Sequence, residues 1–328
     1  GGGEGARYRE CLLDLVAKGH SRWVFEKGIG IVRSMRRFLE DRGFLEVETP
    51  MLQAVAGGAA AEPFRTHHNA LGLDLSLRIA PELYLKRLIV GGFKKVFELN
   101  RKFRNEGISR KHNPEFTMSE AYWAYADFEK VANLVEELIY HLARVVTEDR
   151  TSAPSETSGS ASLRIEHRDA DGNVTRTINL ARPWRRVRYR DLIREIDPQW
   201  FDYSSEKRRE RCTELGVEIN PRMADYEVTQ QVFEKLVEEK TLDPLFVTHC
   251  PKELVPLAKQ NVEDDSLVDV YELIINGQEI SPGYSALNDP VVQRRSLVEQ
   301  RGEETKCPAQ KVLPTRHTRM PAAGGSGT

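Results

Sequence analysis

The sequence predicts an α+β fold in which strands enter as hairpins among long amphipathic helices, and three observations predict it. Val24 to Asp41 and Phe128 to Val146 carry apolar side chains at helical spacing. Two segments, Val96 to Arg104 and Phe116 to Tyr122, alternate with period two on either side of a charged loop. Asn276-Gly277 stands between VYELII and QEI, a strong two-residue hairpin signal. No GxGxxG or P-loop pattern points to a doubly wound parallel sheet instead.

Taken in order, the first helix places Phe25, Ile29, Val32, Met35, Phe38 and Leu39 on one stripe and stops at Gly43. Phe44 to Thr49 reads as a strand ended by Pro50. In the second alternating segment Phe116, Met118, Glu120 and Tyr122 share one face, because side chains repeat every two residues along a strand. The ring and the thioether suit a flat heterocycle, and the carboxylate and phenol suit an ammonium. Arg104, Glu106, His112 and Asn113 crowd the loop, and an arginine fork is the side chain that best clamps a phosphate or carboxylate. By pattern alone an amphipathic hairpin with a solvated tip fits equally well. After the helix at Phe128, the Ser/Thr-rich stretch Asp149 to Ser162 reads as a surface loop. Leu163 to Glu166 and Thr175 to Asn179 read as a hairpin around Asp171-Gly172-Asn173, and a helical insertion runs from Arg190 to about Lys240. In the Asn276-Gly277 hairpin, pairing of Ile275 with Gln278 sets Ile274 opposite Glu279, so Glu272 and Glu279 become diagonal neighbours. At ~7–8 Å they are too distant to share a proton and well placed to share a cation. Magnesium suits such a pair, and an exposed acidic edge is the alternative reading.

The segment FRNEGISRKHNPEFTMSEAYWAY, Phe103 to Tyr125, closely resembles motif 2 of class II aminoacyl-tRNA synthetases, and specifically of the lysyl-tRNA synthetases. The resemblance runs from about Arg7 to Gln300 through GFLEVETPML (Gly43 to Leu52), GGAAAEPFRTHHNAL (Gly57 to Leu71), RIAPELYLKRL (Arg78 to Leu88), PLAK (Pro256 to Lys259), and YELIINGQEI with LNDP (Tyr271 to Pro290). It implies an antiparallel sheet flanked by helices, a catalytic core over residues 1–300 with an insertion at about 149–240, and a homodimer built through the Val24 to Pro50 region. A helix and strand serving only their own core is the alternative for that region.

The roles it implies follow residue by residue. Arg104 holds the substrate carboxylate and the α-phosphate. Glu106, His112 and Asn113 meet the adenine and phosphates of ATP, with Phe116 under the base and Met118 beside it. Gly58 and Glu82 receive the α-ammonium of L-lysine, Glu120 and Tyr122 line the pocket for its side chain, and Tyr284 matches a further pocket aromatic. Glu272 and Glu279 are the expected ligands of Mg2+. The implied reaction is formation of lysyl-adenylate and transfer to tRNA(Lys). Two other readings are a stand-alone paralogue that lysylates a protein such as elongation factor P, and a degenerate synthetase acting as an interaction protein.

Departures from the family pattern are specific. Pro282 stands where an Asn is usual and Ala286 where a Glu is expected to pair with the lysine ε-ammonium; removing one partner of a buried charge costs about 3–5 kcal/mol. Lys306 to Arg319 replaces an acidic helix, and a local reading-frame slip accounts for it; an unambiguous resequencing of those codons would overturn this. An anticodon-reading barrel is expected before Arg7, and motif 3 with its ATP-contacting Arg after Thr328; neither is within this sequence.

Composition excludes some function classes. Lys and Arg number 48 against 50 Asp and Glu, a net charge of −2 over 328 residues, so there is no global nucleic-acid footprint. Any tRNA contact is expected to be local, at Arg182 to Arg190 or Lys207 to Arg211, runs that serve equally as solvated faces. Cys11, Cys212, Cys250 and Cys307 form no CxxC pair, which argues for a reducing cytoplasm and against structural zinc. No run is long and apolar enough to predict a membrane span.

Overall fold

The computed structural model describes residues 19–295, apart from 60, 108–112, 149–162 and 170–171, together with residue 298. His112, the Ser/Thr-rich stretch, Cys11, Cys307 and the atypical tail lie outside the described residues. The chain packs as two compact units: one takes the residues up to 38 with 126–288, the other 39–125 with the residues from 289 on.

The helix expected at Val24 is α1 (Gly19–Glu40). Gly43, at φ +79°, turns the chain beyond its end, a left-handed backbone that glycine adopts without a Cβ penalty. In the 39–125 unit, β1 (Leu45–Glu46), β5 (Lys95–Phe103) and β6 (Glu115–Trp123) form one sheet in the order β1-β5-β6. A second sheet orders β2 (Leu52–Gln53), β4 (Leu73–Leu77) and β3 (Arg65–His68) as β2-β4-β3. Helix α2 (Glu82–Val90) precedes β5. The strand expected over Phe44 to Thr49 is regular only at Leu45–Glu46. Val47 still donates to the Phe97 carbonyl at 2.9 Å, but Thr49 gives its N–H and hydroxyl to the Glu98 carboxylate, at 3.2 and 2.6 Å, instead of to a ladder. Burial of Phe44, Ile79, Leu85, Val96 and Phe97 holds this unit together.

The other unit carries the sheet β12-β11-β10-β9, formed by β9 (Arg185–Arg188), β10 (Leu245–Thr248), β11 (Val270–Ile275) and β12 (Gln278–Tyr284). Hairpin β7–β8 (Arg164–Arg168, Val174–Asn179) and helix α3 (Phe128–Glu148) appear where the sequence predicts them. The helical insertion is α4 (Tyr189–Ile196), α5 (Ser205–Glu214) and α6 (Asp225–Phe233), the last extended by a π turn over Glu234–Glu238. Pairing is antiparallel as expected except that β1 runs parallel to β5 and β9 parallel to β10.

Strand β11 is buried on both sides. Val270 and Ile274 join the cluster of Tyr189, Trp200, Val228 and Phe233, while Tyr271 and Leu273 join Phe128, Trp184 and Phe246. By the same alternation Glu272 belongs to the row of Val270 and Ile274, which face the insertion's cluster. That row is where an acid is most costly unless a partner relieves it.

Candidate active site

The β5–β6 hairpin carries the first group of predicted residues. Its register pairs Lys102 with Phe116, Asn100 with Met118, Glu98 with Glu120, and Val96 with Tyr122, so the face foreseen on β6 is continued by the even-numbered residues of β5. Arg104 follows directly, its N–H bonded to the Pro114 carbonyl at 2.8 Å, which carries the hairpin one step past its strands. The Arg104 guanidinium lies 5.3 Å from the centre of the Phe116 ring. Its Nε is buried and has no hydrogen-bond partner among the described residues. A buried charged donor left open in this way is costly in isolation and is satisfied by an anionic ligand. Glu106 and Asn113 are exposed at the two described ends of the loop. Met118 is also exposed, while Phe116, Glu120 and Tyr122 are half-buried.

The predicted α-ammonium site is brought together as well. Gly58 sits at φ +90°, and a Cβ there would come within 3.1 Å of the Glu82 Cβ and 3.4 Å of the Ala80 Cβ. Only glycine lets that backbone lie so close to Glu82. Glu82 is buried at the start of α2 and accepts from Lys86 Nζ at 2.6 Å, one helical turn on.

On this face lies a charge network that the sequence reading missed. Arg78, wholly buried, pairs with Glu98 at 2.7 Å, donates to the Arg101 carbonyl at 2.8 Å, and reaches the Thr49 hydroxyl at 3.0 Å. Lys102 is buried too, its ammonium ion-paired to Glu120 and 2.9 Å from the Met118 sulfur, and Tyr122 donates to the other Glu120 oxygen at 3.1 Å. Burial holds the Lys102 ammonium below the usual lysine range, opposed by Glu120 and reinforced by Arg104 and Arg78. The available signal was the loop itself: once Phe103 and Arg104 are taken as the start of the turn, period two puts Lys102 in the row of Glu120.

In the other unit, Ile275 pairs with Gln278 and Ile274 with Glu279, as the turn predicts, and Asn276 and Gly277 both have positive φ, +54° and +69°. A bulge between Leu273 and Ile274 then shifts the register so that Glu272 opposes Pro282. Glu272 and Glu279 are nonetheless on one face. Their separation is the correction: the two carboxyls approach closely enough to hydrogen-bond, so they are able to share a proton as well as a cation. Burial first, then the Glu279 charge, pushes the Glu272 carboxyl up to about 8, with Glu238 and Glu234 adding to the effect. Burial, then Glu272 and Glu279, push the Cys250 thiol up, and burial, then Cys250, Glu272 and Glu234, push the Tyr189 phenol up. Two crowded carboxylates fit magnesium, which takes one or two from protein and the rest from water and phosphate. Among the described residues no cluster of three or more acids, histidines or cysteines could hold a metal alone. Tyr284 ends β12, packed against the insertion's cluster.

The arginine runs that offered an RNA contact are engaged within the protein. Arg182 and Arg186 reach Glu136 at 3.0 and 3.3 Å, Arg190 reaches Asp264 at 2.9 Å, and Arg211 reaches Asp197 at 2.8 Å. Among the described residues no helix is long and apolar enough to cross a membrane.

The 39–125 unit thus holds an arginine set over an aromatic ring on an antiparallel hairpin and a glycine pressed against a buried glutamate. The sequence profile of the class II tRNA synthetases (D, K and N) matches residues 3–328, and the chain belongs to that family. Within it, the chain is 42% identical over 333 residues to the lysine–tRNA ligase of Pelotomaculum thermopropionicum, covering 98% of this chain and 62% of that protein. It is 44% identical over 298 residues to the lysine–tRNA ligase of Coxiella burnetii, covering 90% and 56%. With that of Sinorhizobium medicae it shares 43% over 332 residues, covering 98% and 62%. The chain thus spans roughly three fifths of the length of these curated relatives.

Proposed function

We propose that this chain is the catalytic region of a lysine–tRNA ligase, joining L-lysine to ATP as lysyl-adenylate and passing the lysyl group to the 3′ end of tRNA(Lys) in the cytoplasm. The observation that carries the reading is Arg104, whose buried Nε has no partner among the described residues while its guanidinium covers Phe116. The names of the relatives favour this reading over the protein-lysylating paralogue and the degenerate synthetase.

In this reading Arg104 grips the lysine carboxylate and the α-phosphate, bringing nucleophile and phosphorus together without a covalent enzyme intermediate. Orientation of that kind accounts for ~7–11 kcal/mol of a barrier. Phe116 and Met118 bracket the adenine, and Glu106, His112 and Asn113 meet its edge and the phosphates. Gly58 and Glu82 receive the α-ammonium, and Glu120, Tyr122 and Tyr284 line the side-chain pocket. Glu272 and Glu279 would hold Mg2+, which supplies charge neutralisation to the triphosphate. A homodimer through the Val24 to Pro50 region completes the proposal, supported by the exposure of Val24, Phe25 and Ile29 on α1.

Lysine-dependent ATP–pyrophosphate exchange by the protein tests the reading. Exchange is expected to need magnesium and to fall by about 10³-fold in Arg104→Ala and in Glu272→Gln, as for loss of a charge-stabilising group. No exchange, or exchange indifferent to Arg104, would overturn it.

A further inference from the structure

The amino-acid pocket already contains an ammonium of its own. Lys102 projects from β5 into the row of Phe116, Met118 and Glu120, with only 3% of its side chain exposed. Its Nζ is paired to Glu120 and touches the Met118 sulfur at 2.9 Å. The remaining Glu120 oxygen accepts from Tyr122 at 3.1 Å. The carboxylate and phenol assigned to the substrate's ε-ammonium are therefore both committed.

Lys102 has little freedom to withdraw. The next acid along the row, Glu98, is held by Arg78 at 2.7 Å, with the two side chains 1–2% exposed. Arg104 lies two residues on along the same row, so moving the ammonium that way brings it toward a like charge. A buried ammonium that leaves its only acid loses the interaction that offsets its desolvation. The contrast with Glu82 is instructive, since its partner Lys86 is 26% exposed and can turn into water when an α-ammonium arrives. A lysine substrate has no such courtesy at Glu120, where two ammonium groups would face one carboxylate. The second acid expected near the ε-ammonium is Ala286 in this sequence.

We propose, resting on the assignment of this pocket to the amino acid, that Lys102 is a specificity-determining residue: its ammonium occupies the cation subsite of Glu120 and Tyr122, so the pocket loses selectivity for a charged side-chain end over an uncharged one. Lysine must displace Lys102 to bind as a cation, whereas norleucine, which keeps lysine's carbon chain and lacks only the terminal ammonium, meets no such competition.

Isothermal titration of the protein with L-lysine and with L-norleucine, in the presence of a non-hydrolysable ATP analogue, reads this directly. The wild type is expected to bind the two within about threefold of each other, and Lys102→Met to bind lysine about tenfold or more tighter with little change for norleucine, tenfold being ~1.4 kcal/mol. A wild-type preference for lysine of about a hundredfold, the mark of a free acid pairing a buried ammonium, would overturn the proposal. So would a Lys102→Met protein that binds lysine no better than the wild type, which would make Lys102 a structural partner of Glu120. If Lys102→Met does not fold, the wild-type lysine-to-norleucine ratio decides alone. The ligase reading is judged separately: norleucine and lysine bound alike with no amino acid supporting pyrophosphate exchange sinks that reading and leaves Lys102's role standing, and strong lysine preference with exchange does the reverse.

Discussion

Two side chains, one in each unit, stand out for their electrostatic setting. Arg104 is held by the hairpin with its Nε turned away from solvent and without a partner among the described residues, while Glu272 is held on the interior row of β11, where burial and Glu279 push its carboxyl well above the usual carboxylate range. Each is costly in isolation, and a ligand of opposite sign is the relief proposed for each. His249 illustrates a different case at the same scale. It lies in the left-handed region at φ +55°, its ring edge-on to Phe128 at 5.4 Å and its Nδ1 3.0 Å from the Thr248 hydroxyl. Burial and Arg188 push its imidazole below the usual 6.5, opposed by Asp269, Glu129 and Glu263. Because the folded-state value is depressed, its contribution to stability is present above the unfolded value and is lost as pH falls through the folded one. Thermal unfolding followed between pH 7.5 and 5 should therefore show a shallower acid limb in His249→Asn than in the wild type, asparagine being tolerant of the left-handed backbone. Parallel acid limbs in the two proteins would count against this.

Among the elements, the β11–β12 hairpin carries the tightest geometric demand. Tyr271 and Gly283 are direct cross-strand partners, and a Cβ on Gly283 would lie 2.4 Å from two ring carbons and the hydroxyl oxygen of Tyr271. That ring is buried and its hydroxyl bonds Ser281, so it cannot simply swing aside. Gly283→Ala is expected to lower stability by about 1–3 kcal/mol through overpacking, read as a reduced midpoint in urea unfolding. An unchanged midpoint would mean the ring relocates at no cost. The hairpin's turn and outer pairing were legible in the sequence because Asn276-Gly277 supports only one tight turn. The bulge after Leu273 was not, since it answers to packing on two clusters at once rather than to any local pattern. Likewise Leu45–Glu46 ended early because Glu98, an acid on another strand, captured Thr49.

At the scale of the whole molecule, the unexplained surface is on α1. Val24, Phe25 and Ile29 are 50–60% exposed, a stripe with helical spacing and no cover from the described residues, whereas Phe38 and Leu39 at its other end are buried. A second copy is the proposed cover. The protein should run as a dimer by light scattering at micromolar concentration, and Phe25→Asp with Ile29→Asp should convert it to a monomer that keeps its secondary structure by circular dichroism. A monomeric wild type would remove the dimer from the proposed function.

What the sequence by itself determined is everything local in origin: helices from the 3.6-residue stripe, hairpins from Asn-Gly and period two, and the shared face of Phe116, Met118, Glu120 and Tyr122. The family, too, was legible, because the motif 2 residues are contiguous in the chain. What only the tertiary structure decided is who neutralises whom. Arg78 finds Glu98, Lys102 finds Glu120, and Glu272 meets Glu279 across a bulge, each through cross-strand or through-space proximity between residues separated in sequence. Charge pairing in a low-dielectric interior depends on distance and burial, and neither quantity is written in the order of the residues.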